Sequence, residues 1–231
     1  MTKTAVLIPA YNESDSIASV INEINDLKLG LKIVVIDDGS SDATRKIAIS
    51  SGVICLSHPI NCGVGAALIT GLTWSIECGY DQIVIVDADG QHPVDSIGSM
   101  LNVLEESDLV VGCRDWHLFD AIWFRRYAHN ILRIALRLKY DIRITDVTSG
   151  FRAMNIKAAM ALVPSLGDQY LEDTIMLLVE AKKHKLKIAQ VPVTIRNRQA
   201  GEPSHSVWKS AIRYMSVLMK VLLASKGRLS K

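Results

Sequence analysis

Two aspartates separated by one residue, Asp87 and Asp89, directly follow the apolar run Ile83–Val86. Such a run is typical of a buried parallel strand, so both carboxylates are predicted to emerge at its carboxyl end. Open α/β sheets bind their ligands at that edge. Acids at positions i and i+2 of an extended segment can face one hard cation, which can bridge a diphosphate. The pair therefore predicts a metal–diphosphate site, and capping of the next helix is the structural alternative.

Three further polar segments are predicted to reach the same edge of the sheet. They are Pro9–Glu13 after the first strand, Asp37–Asp42 after the second strand, and Asn61–Gly65 ahead of a helix that starts near Ala66. Tyr11 is suited to stack on a base, and Asp38 is suited to accept hydrogen bonds from a base or a ribose. Gly63 and Gly65 allow close backbone approach at a helix N-terminus. Each segment alone also fits an ordinary turn, but their occurrence on successive strand ends favours a nucleotide site.

The elements that must position these residues alternate between strands and helices in the first half of the chain. The predicted strands are Ala5–Pro9, Lys32–Asp37, Val53–Ser57, Gln82–Asp87 and Asp108–Gly112. Apolar residues at helical spacing predict helices over 17–27, with Ser14 or Asp15 as the capping residue, and over 97–104. This alternation implies a parallel sheet with right-handed crossovers.

The second half is predicted to hold helices over residues 117–138 and 170–184, followed by a strand over Ile188–Ile195. Residues 207–231 contain six Lys or Arg and no Asp or Glu. This basic, apolar pattern predicts an amphipathic helix that binds an anionic membrane surface, or equally one that packs on the domain with an exposed basic edge. The predicted organisation is therefore one domain, 1–204, and a C-terminal helix and tail, 205–231.

Composition limits the class of protein. Of the 231 residues, 49% are hydrophobic and 22% are charged, so a full core can form, and the net charge of +2 gives no reason to expect nucleic acid as a partner. The four cysteines have no CxxC spacing, and three of them lie in or beside apolar segments, which predicts buried, reduced thiols in a cytosolic protein. The N-terminus lacks the layout of a signal peptide, and no run approaches the roughly 18 apolar residues of a membrane span.

Two common nucleotide-binding motifs are not present. The segment Gly63–Leu68 lacks the third glycine of a dinucleotide-binding loop and does not follow the first strand. The chain also contains no GxxxxGK[ST] sequence, which excludes a P-loop ATPase.

Taken together, these motifs resemble those of family 2 glycosyltransferases of the GT-A fold, and in particular the dolichol-phosphate mannose synthase branch. The resemblance runs from residue 4 to about residue 204. The segments that carry it are Ile8–Glu13, Val35–Ser40, Asn61–Gly65, Asp87–Pro93, Asp146–Arg152 and Val191–Val193. It implies an α/β GT-A fold with a mostly parallel central sheet flanked by helices.

The resemblance also implies an enzyme with a defined set of site residues. A GDP- or UDP-linked sugar would be bound by Pro9, Tyr11, Glu13, Asp38, Gly65, Asp87 and Arg198. Mg²⁺ or Mn²⁺ would be held by Asp87, Asp89 and Gln91, which makes Asp89 a catalytic residue. The phosphate of a polyprenyl phosphate acceptor would be held by Arg114, Arg126 and Asn130.

Three functions remain open at this point. A polyprenyl phosphate is already ionised near neutral pH, so its transfer reaction needs no general base. If the acceptor is instead a saccharide hydroxyl, as in cell-surface polysaccharide synthesis, Asp173 is expected to be the catalytic base, because an alcohol must lose its proton as it attacks. The third possibility is a non-catalytic nucleotide-binding or scaffolding protein.

The expected location is the cytoplasmic face of a membrane, to which the chain binds peripherally through its C-terminal helix. A separate membrane protein is a further candidate partner. Four aromatic residues near Arg126 offer a second apolar contact with lipid: Trp116, Phe119, Trp123 and Phe124. The alternative is that Arg125, Arg126 and Arg133 form an ordinary solvated helix face.

Overall fold

The computed structural model describes residues 2–114, 123–166, 170–196, 216–219 and 221, with the backbone alone described at 123–125 and 170–173. The strands are β1 (Thr4–Ala10), β2 (Lys32–Asp37), β3 (Ile54–Ser57), β4 (Gln82–Ile85), β5 (Leu109–Arg114), β6 (Arg152–Asn155) and β7 (Ile188–Val193). The α-helices are α1 (Ile17–Asp26), α2 (Thr44–Ser50), α3 (Val64–Glu77), α4 (Ile97–Leu104), α5 (Trp123–Tyr140), α6 (Ile156–Leu162) and α7 (Tyr170–Lys183). Residues 216–219 and 221 are also helical.

The seven strands form one sheet in the order β3-β2-β1-β4-β6-β5-β7. Only β6 among them runs antiparallel to its neighbours, β4 and β5. The other strands share one direction, and their register aligns Ala10 of β1 with Asp37 of β2 and Leu7 of β1 with Ile85 of β4. The carboxyl ends of β1, β2 and β4 therefore meet at one edge, as the sequence predicts.

Both faces of the sheet are buried, which explains the near-continuous hydrophobic strands. Leu7 and Ile36 face a cluster formed with α3, α5, α6 and α7. Their neighbours Ile8 and Val35 face the opposite cluster, formed with α1, α2 and α4. The architecture is thus three layers, with helices on either side of a mixed, mostly parallel sheet.

Several element boundaries differ from the predictions. Strand β4 ends at Ile85 rather than at Asp87, because the Asp87 N–H donates to a histidine ring instead of to the sheet. The N-cap of α1 is Ser16, so the prediction of Ser14 or Asp15 is wrong. The Ser16 hydroxyl donates to the Glu13 carboxylate at 3.0 Å.

Strand β6 begins at Arg152, the last residue of the segment Asp146–Arg152, and the sequence analysis predicted no strand there. It has only four residues and lacks a run of β-branched side chains, so its pattern gives little signal. Residues 117–122 of a predicted helix lie outside the described part of the chain, whereas 123–140 are helical. The prediction of three buried thiols is wrong, because Cys62 and Cys78, at the two ends of α3, are exposed.

Part of the C-terminal segment packs on the domain. Val217 and Val221 are buried, and the Lys139 ammonium donates to the Val221 carbonyl at 2.8 Å. The remaining residues of the predicted C-terminal helix, 205–215, 220 and 222–231, lie outside the described residues. Within the described ranges, no helix has both the length and the apolar character that crossing a bilayer requires.

Candidate active site

The loops after β1 and β2 are joined by hydrogen bonds. The Asn12 N–H donates to the Ser40 hydroxyl at 3.0 Å, and the Asn12 side-chain carbonyl accepts from the Ser41 N–H at 2.9 Å. The Glu13 N–H donates to the Thr44 hydroxyl at 2.8 Å. Asn12 has a φ of +55°, a left-handed conformation that asparagine tolerates better than most residues. These contacts form one wall of the candidate donor site.

Three predicted donor-binding residues lie along this wall. The Tyr11 side chain is 46% exposed, so its ring is accessible for stacking. Pro9 lies near the carboxyl end of β1. The Glu13 carboxylate accepts from Ser16 and is thereby held at the start of α1.

Asp38 is buried and fixes the loop that precedes α3. Its carboxylate accepts from the Cys62 N–H at 2.9 Å and from the Gly63 N–H at 2.8 Å. It also contacts Nδ1 of His58 at 2.7 Å, and the other ring nitrogen of His58 contacts the Thr70 hydroxyl at 2.9 Å. Asp38 therefore orders the start of α3, and its direct contact with a base or ribose stays a prediction.

Asp38, His58 and Cys62 place one ligand atom each within 4.8 Å of one another. The 2.7 Å distance between His58 and Asp38 is that of a hydrogen bond. Nitrogen and oxygen ligands of a tetrahedral metal lie farther apart, at about 3.3 Å, because each is about 2 Å from the ion. This trio is therefore a hydrogen-bonded group in the present arrangement and not a metal centre.

Gly39 brings the loop after β2 against the loop before α3. Its φ is +70°, and a Cβ atom at this position would lie 2.4 Å from the carbonyl carbon of Ile60. Gly63 also has a positive φ, +92°, at the N-terminus of α3. Only glycine fits the Gly39 position, since any side chain would overlap backbone.

Asp87, the first of the two acids after β4, is held by His92. The Asp87 N–H donates to Nδ1 of His92 at 3.0 Å, so the ring proton is on Nε2, which lies 3.3 Å from the Asp87 carboxylate. The His92 ring is buried and stacks on Phe151, with centroids 4.9 Å apart. A Cβ atom at Gly112 would lie 2.7 Å from the Phe151 ring, so this glycine makes room for the stack.

The rest of the loop that follows β4 is also ordered by main-chain contacts. The Asp89 carboxylate accepts from the Gln91 N–H at 3.0 Å, and the Gln91 carbonyl accepts from the Arg196 N–H at 3.0 Å. The Arg196 guanidinium pairs with Glu23 on α1 at 2.5 Å. Asp87, Asp89 and Gln91 are half-buried and offer only oxygen ligands, so they fit a hard divalent cation such as Mg²⁺ or Mn²⁺.

A pocket lies beside Asp87, between α3 and α7. The residues that line it include Pro9, Val64, Leu68, Asp87, Arg152 and Thr174. Two predicted donor-binding residues, Pro9 and Asp87, thus share one pocket. Asp173 is in the first turn of α7, next to Thr174, but its side chain lies outside the description, as does all of Arg198.

Arg152 in β6 positions the start of α7. The side chain is buried and donates to the Thr174 carbonyl at 2.7 Å and to the Ser149 carbonyl at 3.0 Å. The sequence assigned no role to this residue. A buried arginine is rare unless its donors are satisfied. The Ser149 carbonyl is a local acceptor, whereas the Thr174 carbonyl is 22 residues away and is brought close only by the fold.

A second charged cluster joins β5 to α5. The Arg114 guanidinium donates to the Asp146 carboxylate at 2.5 Å and to the Thr148 hydroxyl at 3.1 Å. Nε2 of His129 lies 3.6 Å from the same carboxylate, which is fully buried. Burial by itself raises the pKa of Asp146, but the nearby His129 ring and the charge and hydrogen bonds of Arg114 outweigh it and lower that pKa far below its ordinary value.

This cluster connects one predicted acceptor residue, Arg114, to the helix that carries the other two. Arg114 is 20% exposed and is oriented by Asp146. Asp146 also contacts His129, which lies on α5 between the half-buried Arg126 and the exposed Asn130. The end of β5 and the relevant turn of α5 are therefore held together, whereas phosphate binding by these residues stays a prediction.

Comparison with known proteins identifies the family. Residues 5–163 match the model of glycosyl transferase family 2. The chain belongs to this family. It is 33% identical over 210 residues to a UDP-N-acetylglucosamine–dolichyl-phosphate N-acetylglucosaminyltransferase of Methanococcus voltae, covering 81% of this chain and 83% of that protein. It is 27% identical over 216 residues to an undecaprenyl-phosphate mannosyltransferase of Micrococcus luteus, covering 88% of each.

Solved structures match the fold of this family 2 glycosyltransferase. Glucosyl-3-phosphoglycerate synthase from Mycobacterium tuberculosis, crystallised with Mn²⁺, UDP-glucose and phosphoglyceric acid, gives a TM-score of 0.76 at 23% identity, covering 95% of this chain and 79% of that one. The same enzyme with Mg²⁺ and UDP gives 0.75 at 24% identity, covering 96% and 78%. The predicted GT-A fold is confirmed, and family membership confirms a glycosyltransferase rather than a scaffold.

Proposed function

We propose that the chain transfers a hexose from a GDP- or UDP-linked sugar to a polyprenyl phosphate, with inversion and with Mg²⁺ or Mn²⁺. The observation that carries this proposal is the set of oxygen ligands after β4, from Asp87, Asp89 and Gln91, beside a pocket lined by Pro9 and Asp87. Relatives whose names specify dolichyl phosphate and undecaprenyl phosphate support the choice of acceptor.

Asp87, Asp89 and Gln91 would hold the cation, which when bound offsets the negative charge that accumulates on the departing nucleoside diphosphate. His92 keeps the Asp87 carboxylate in place before the donor arrives. The wall that carries Tyr11 would receive the nucleoside. These residues would therefore orient the donor and hold the carboxylates in place near the diphosphate, where negative charge develops.

The acceptor phosphate reacts without a general base. One of its ionised oxygens attacks the anomeric carbon and forms the new C–O bond. The bond from that carbon to the diphosphate breaks, and its electron pair leaves with the nucleoside diphosphate. Arg114, Arg126 and Asn130 would hold the attacking phosphate through charge-assisted hydrogen bonds.

A direct assay tests this proposal. The purified chain is given labelled UDP- and GDP-sugars with extracted polyprenyl phosphates, and lipid-linked sugar and nucleoside diphosphate are measured with Mn²⁺ or with excess chelator. Product is expected only with the metal, and Asp87→Asn and Asp89→Asn should each lower turnover about a hundredfold or more. Asp26→Asn, an exposed acid at the end of α1, is the control. Equal turnover in chelator would overturn the proposal.

A second candidate function uses a saccharide hydroxyl as acceptor and Asp173 as base. It is supported by Thr174, the next residue of α7, which lines the same pocket as Pro9 and Asp87. The variant Asp173→Asn separates the two functions. A loss of about 10²–10⁴-fold with saccharide acceptors would support this candidate, whereas lipid-phosphate transfer within a few-fold of wild type would support the first.

We also infer that the enzyme works at the cytoplasmic face of a membrane as a peripheral protein, because its proposed acceptor is a membrane lipid. The basic segment 205–231, or a separate membrane protein, is the candidate anchor. Co-sedimentation of the full chain with membranes, before and after a salt wash, tests this location. Protein that stays in the supernatant at low salt would contradict it.

A further inference from the structure

Helix α5 carries an exposed apolar stripe that the active site does not use. Tyr127, Ile134 and Leu138 are exposed by 64%, 52% and 79%. Their spacing of seven and four residues places them on one side of the helix, away from the buried Leu132 and Leu136. Single exposed apolar residues are ordinary, but a row of three along one helix indicates a contact surface.

A row of arginines runs beside this stripe. Arg126, Arg133 and Arg137 each precede one member of the stripe, so the row is rotated from it by about 100° around the helix axis. Arg133 and Arg137 are exposed. The 18 residues of α5 contain five Lys or Arg and no Asp or Glu. An apolar stripe beside a basic one is the pattern of a helix that lies in a membrane interface.

We propose that this α5 surface, defined as Tyr127, Ile134 and Leu138 with Arg133 and Arg137, docks on an anionic lipid bilayer. The inference rests on the proposed function, since a polyprenyl phosphate lies in a bilayer, and it adds which surface of the domain meets that bilayer. Because α5 also carries Arg126 and Asn130, docking brings the candidate acceptor residues to the level of the lipid phosphates.

The charge of α5 argues against a second copy of the chain as the occupant. Two copies that meet through this stripe would bring two rows of arginines together, with no acid on either helix to compensate them. A bilayer that contains anionic headgroups suits the whole α5 surface. Its acyl chains cover the apolar stripe, and its headgroups pair with the arginines.

Vesicle binding by the full chain, with no donor or acceptor present, tests the surface. The protein is expected to bind vesicles of mixed phosphatidylglycerol and phosphatidylcholine more tightly than vesicles of phosphatidylcholine alone. Ile134→Glu and Leu138→Glu should each weaken binding about tenfold. Arg133→Gln and Arg137→Gln should each weaken it about fivefold, with less effect at high salt.

Two exposed apolar residues on other helices provide matched controls. Ile49 on α2 is 56% exposed and Met160 on α6 is 57% exposed, close to the value for Ile134. Ile49→Glu and Met160→Glu should bind vesicles like wild type. Thermal melts followed by circular dichroism confirm that all the variants are folded.

The activity of the variants separates this inference from the proposed function. Ile134→Glu and Leu138→Glu should transfer sugar at the wild-type rate to a short, water-soluble isoprenyl phosphate but slowly to a polyprenyl phosphate in vesicles. Failure of wild type with both acceptors would defeat the proposed function, whereas vesicle binding that falls in these variants would still support the surface.

Three results would overturn the inference. In the first, Leu138→Glu binds vesicles as well as Met160→Glu does. In the second, wild type sediments as a dimer and Leu138→Glu as a monomer with unchanged vesicle binding, which identifies a second copy as the occupant. In the third, binding survives changes in the stripe but is lost in Lys209→Gln and Lys220→Gln, which assigns the membrane contact to the C-terminal segment.

Discussion

At the scale of single residues, His92 contacts both the backbone and the carboxylate of Asp87. Its Nδ1 accepts from the Asp87 N–H, and its Nε2 faces the carboxylate at 3.3 Å. The second acid, Asp89, is instead held by the Gln91 N–H. The Asp87 carboxylate thus faces a buried side chain, and the Asp89 carboxylate accepts from the main chain of its own turn. Partners of this kind orient metal ligands and tune their affinity.

Substitution of His92 should weaken metal binding. His92→Leu removes both contacts with Asp87, whereas His92→Asn can keep an acceptor for its N–H. We expect the Leu variant to bind Mn²⁺, in the presence of UDP or GDP, about 10–100-fold more weakly, and the Asn variant to lose less. Titration calorimetry measures this affinity without turnover. His184→Leu, at an exposed histidine, is the control, and an unchanged affinity in His92→Leu would contradict the prediction.

Alanine substitution at two glycines with nearly equal φ values distinguishes the cost of backbone strain from the cost of steric overlap. Gly30 has a φ of +68°, and a Cβ atom at this position would have nothing within 4 Å, whereas Gly39 has a φ of +70° and its Cβ atom would overlap Ile60. Gly30→Ala should lower the free energy of unfolding by about 1 kcal/mol, and Gly39→Ala by about 3 kcal/mol or more. Urea denaturation measures both, and equal losses would show that the loops simply move apart.

At the scale of elements, buried charges hold helices to strand ends. Arg152 connects β6 to the first turn of α7, and Asp146 connects Arg114 at the end of β5 to His129 on α5. Breaking a buried pair costs more than the pair itself contributes, since one charge is left without compensation. These contacts therefore hold α5 to the end of β5, and they hold α7, which lines the pocket, to β6.

The pH dependence of stability should report on Asp146. Its pKa is lowered in the folded protein, so its contribution is present above the unfolded value of about 3.8 and is lost as the pH falls below that value. Asp146→Asn should lower the free energy of unfolding by about 3 kcal/mol near neutral pH. The difference from wild type should narrow between about pH 5 and pH 2.

Asp141→Asn is the control for this experiment. Asp141 is exposed and pairs with Arg143, and its positive φ of +53° suits asparagine. Its variant should follow wild type closely across the same pH range, because solvent screens an exposed pair. A constant difference between wild type and Asp146→Asn at every pH would show that the buried carboxylate does not titrate with folding.

At the scale of the whole molecule, the loop that follows β4 and carries Asp87 and Asp89 lies where two halves of the sheet meet. β1, β2 and α3 supply the candidate nucleotide wall on one side of β4. β5 and α5 supply the candidate acceptor residues Arg114, Arg126 and Asn130 on the other side. A ligand that bridges this edge contacts several elements at once, so it should stabilise the entire domain.

Nucleoside diphosphate with Mn²⁺ should therefore raise the melting temperature. At a concentration about a hundredfold above Kd, binding adds about 2.7 kcal/mol, which corresponds to a rise of about 5–10 °C for a domain of this size. Differential scanning fluorimetry with UDP and GDP would also show which base is preferred. Excess chelator and Asp89→Asn should each remove the rise, and a shift that persists in chelator would contradict a metal-bridged diphosphate.

Much of this protein is determined by local sequence. Apolar runs define β1, β2 and β4, and the polar residues that follow them reach one edge because parallel strands end together. Motifs of a few residues likewise predict the acid pair, the glycine positions and the family. The chemistry of such motifs depends on the spacing of residues along one strand or turn.

Only the tertiary structure decided which distant residues meet. Asp38 contacts Gly63, 25 residues away, and Arg114 contacts Asp146, 32 residues away. The antiparallel β6, the stack of Phe151 on His92 and the exposed stripe of α5 likewise depend on how strands are ordered and helices are packed. Local sequence patterns do not predict these long-range contacts, because each contact forms, and contributes free energy, only when the chain has folded.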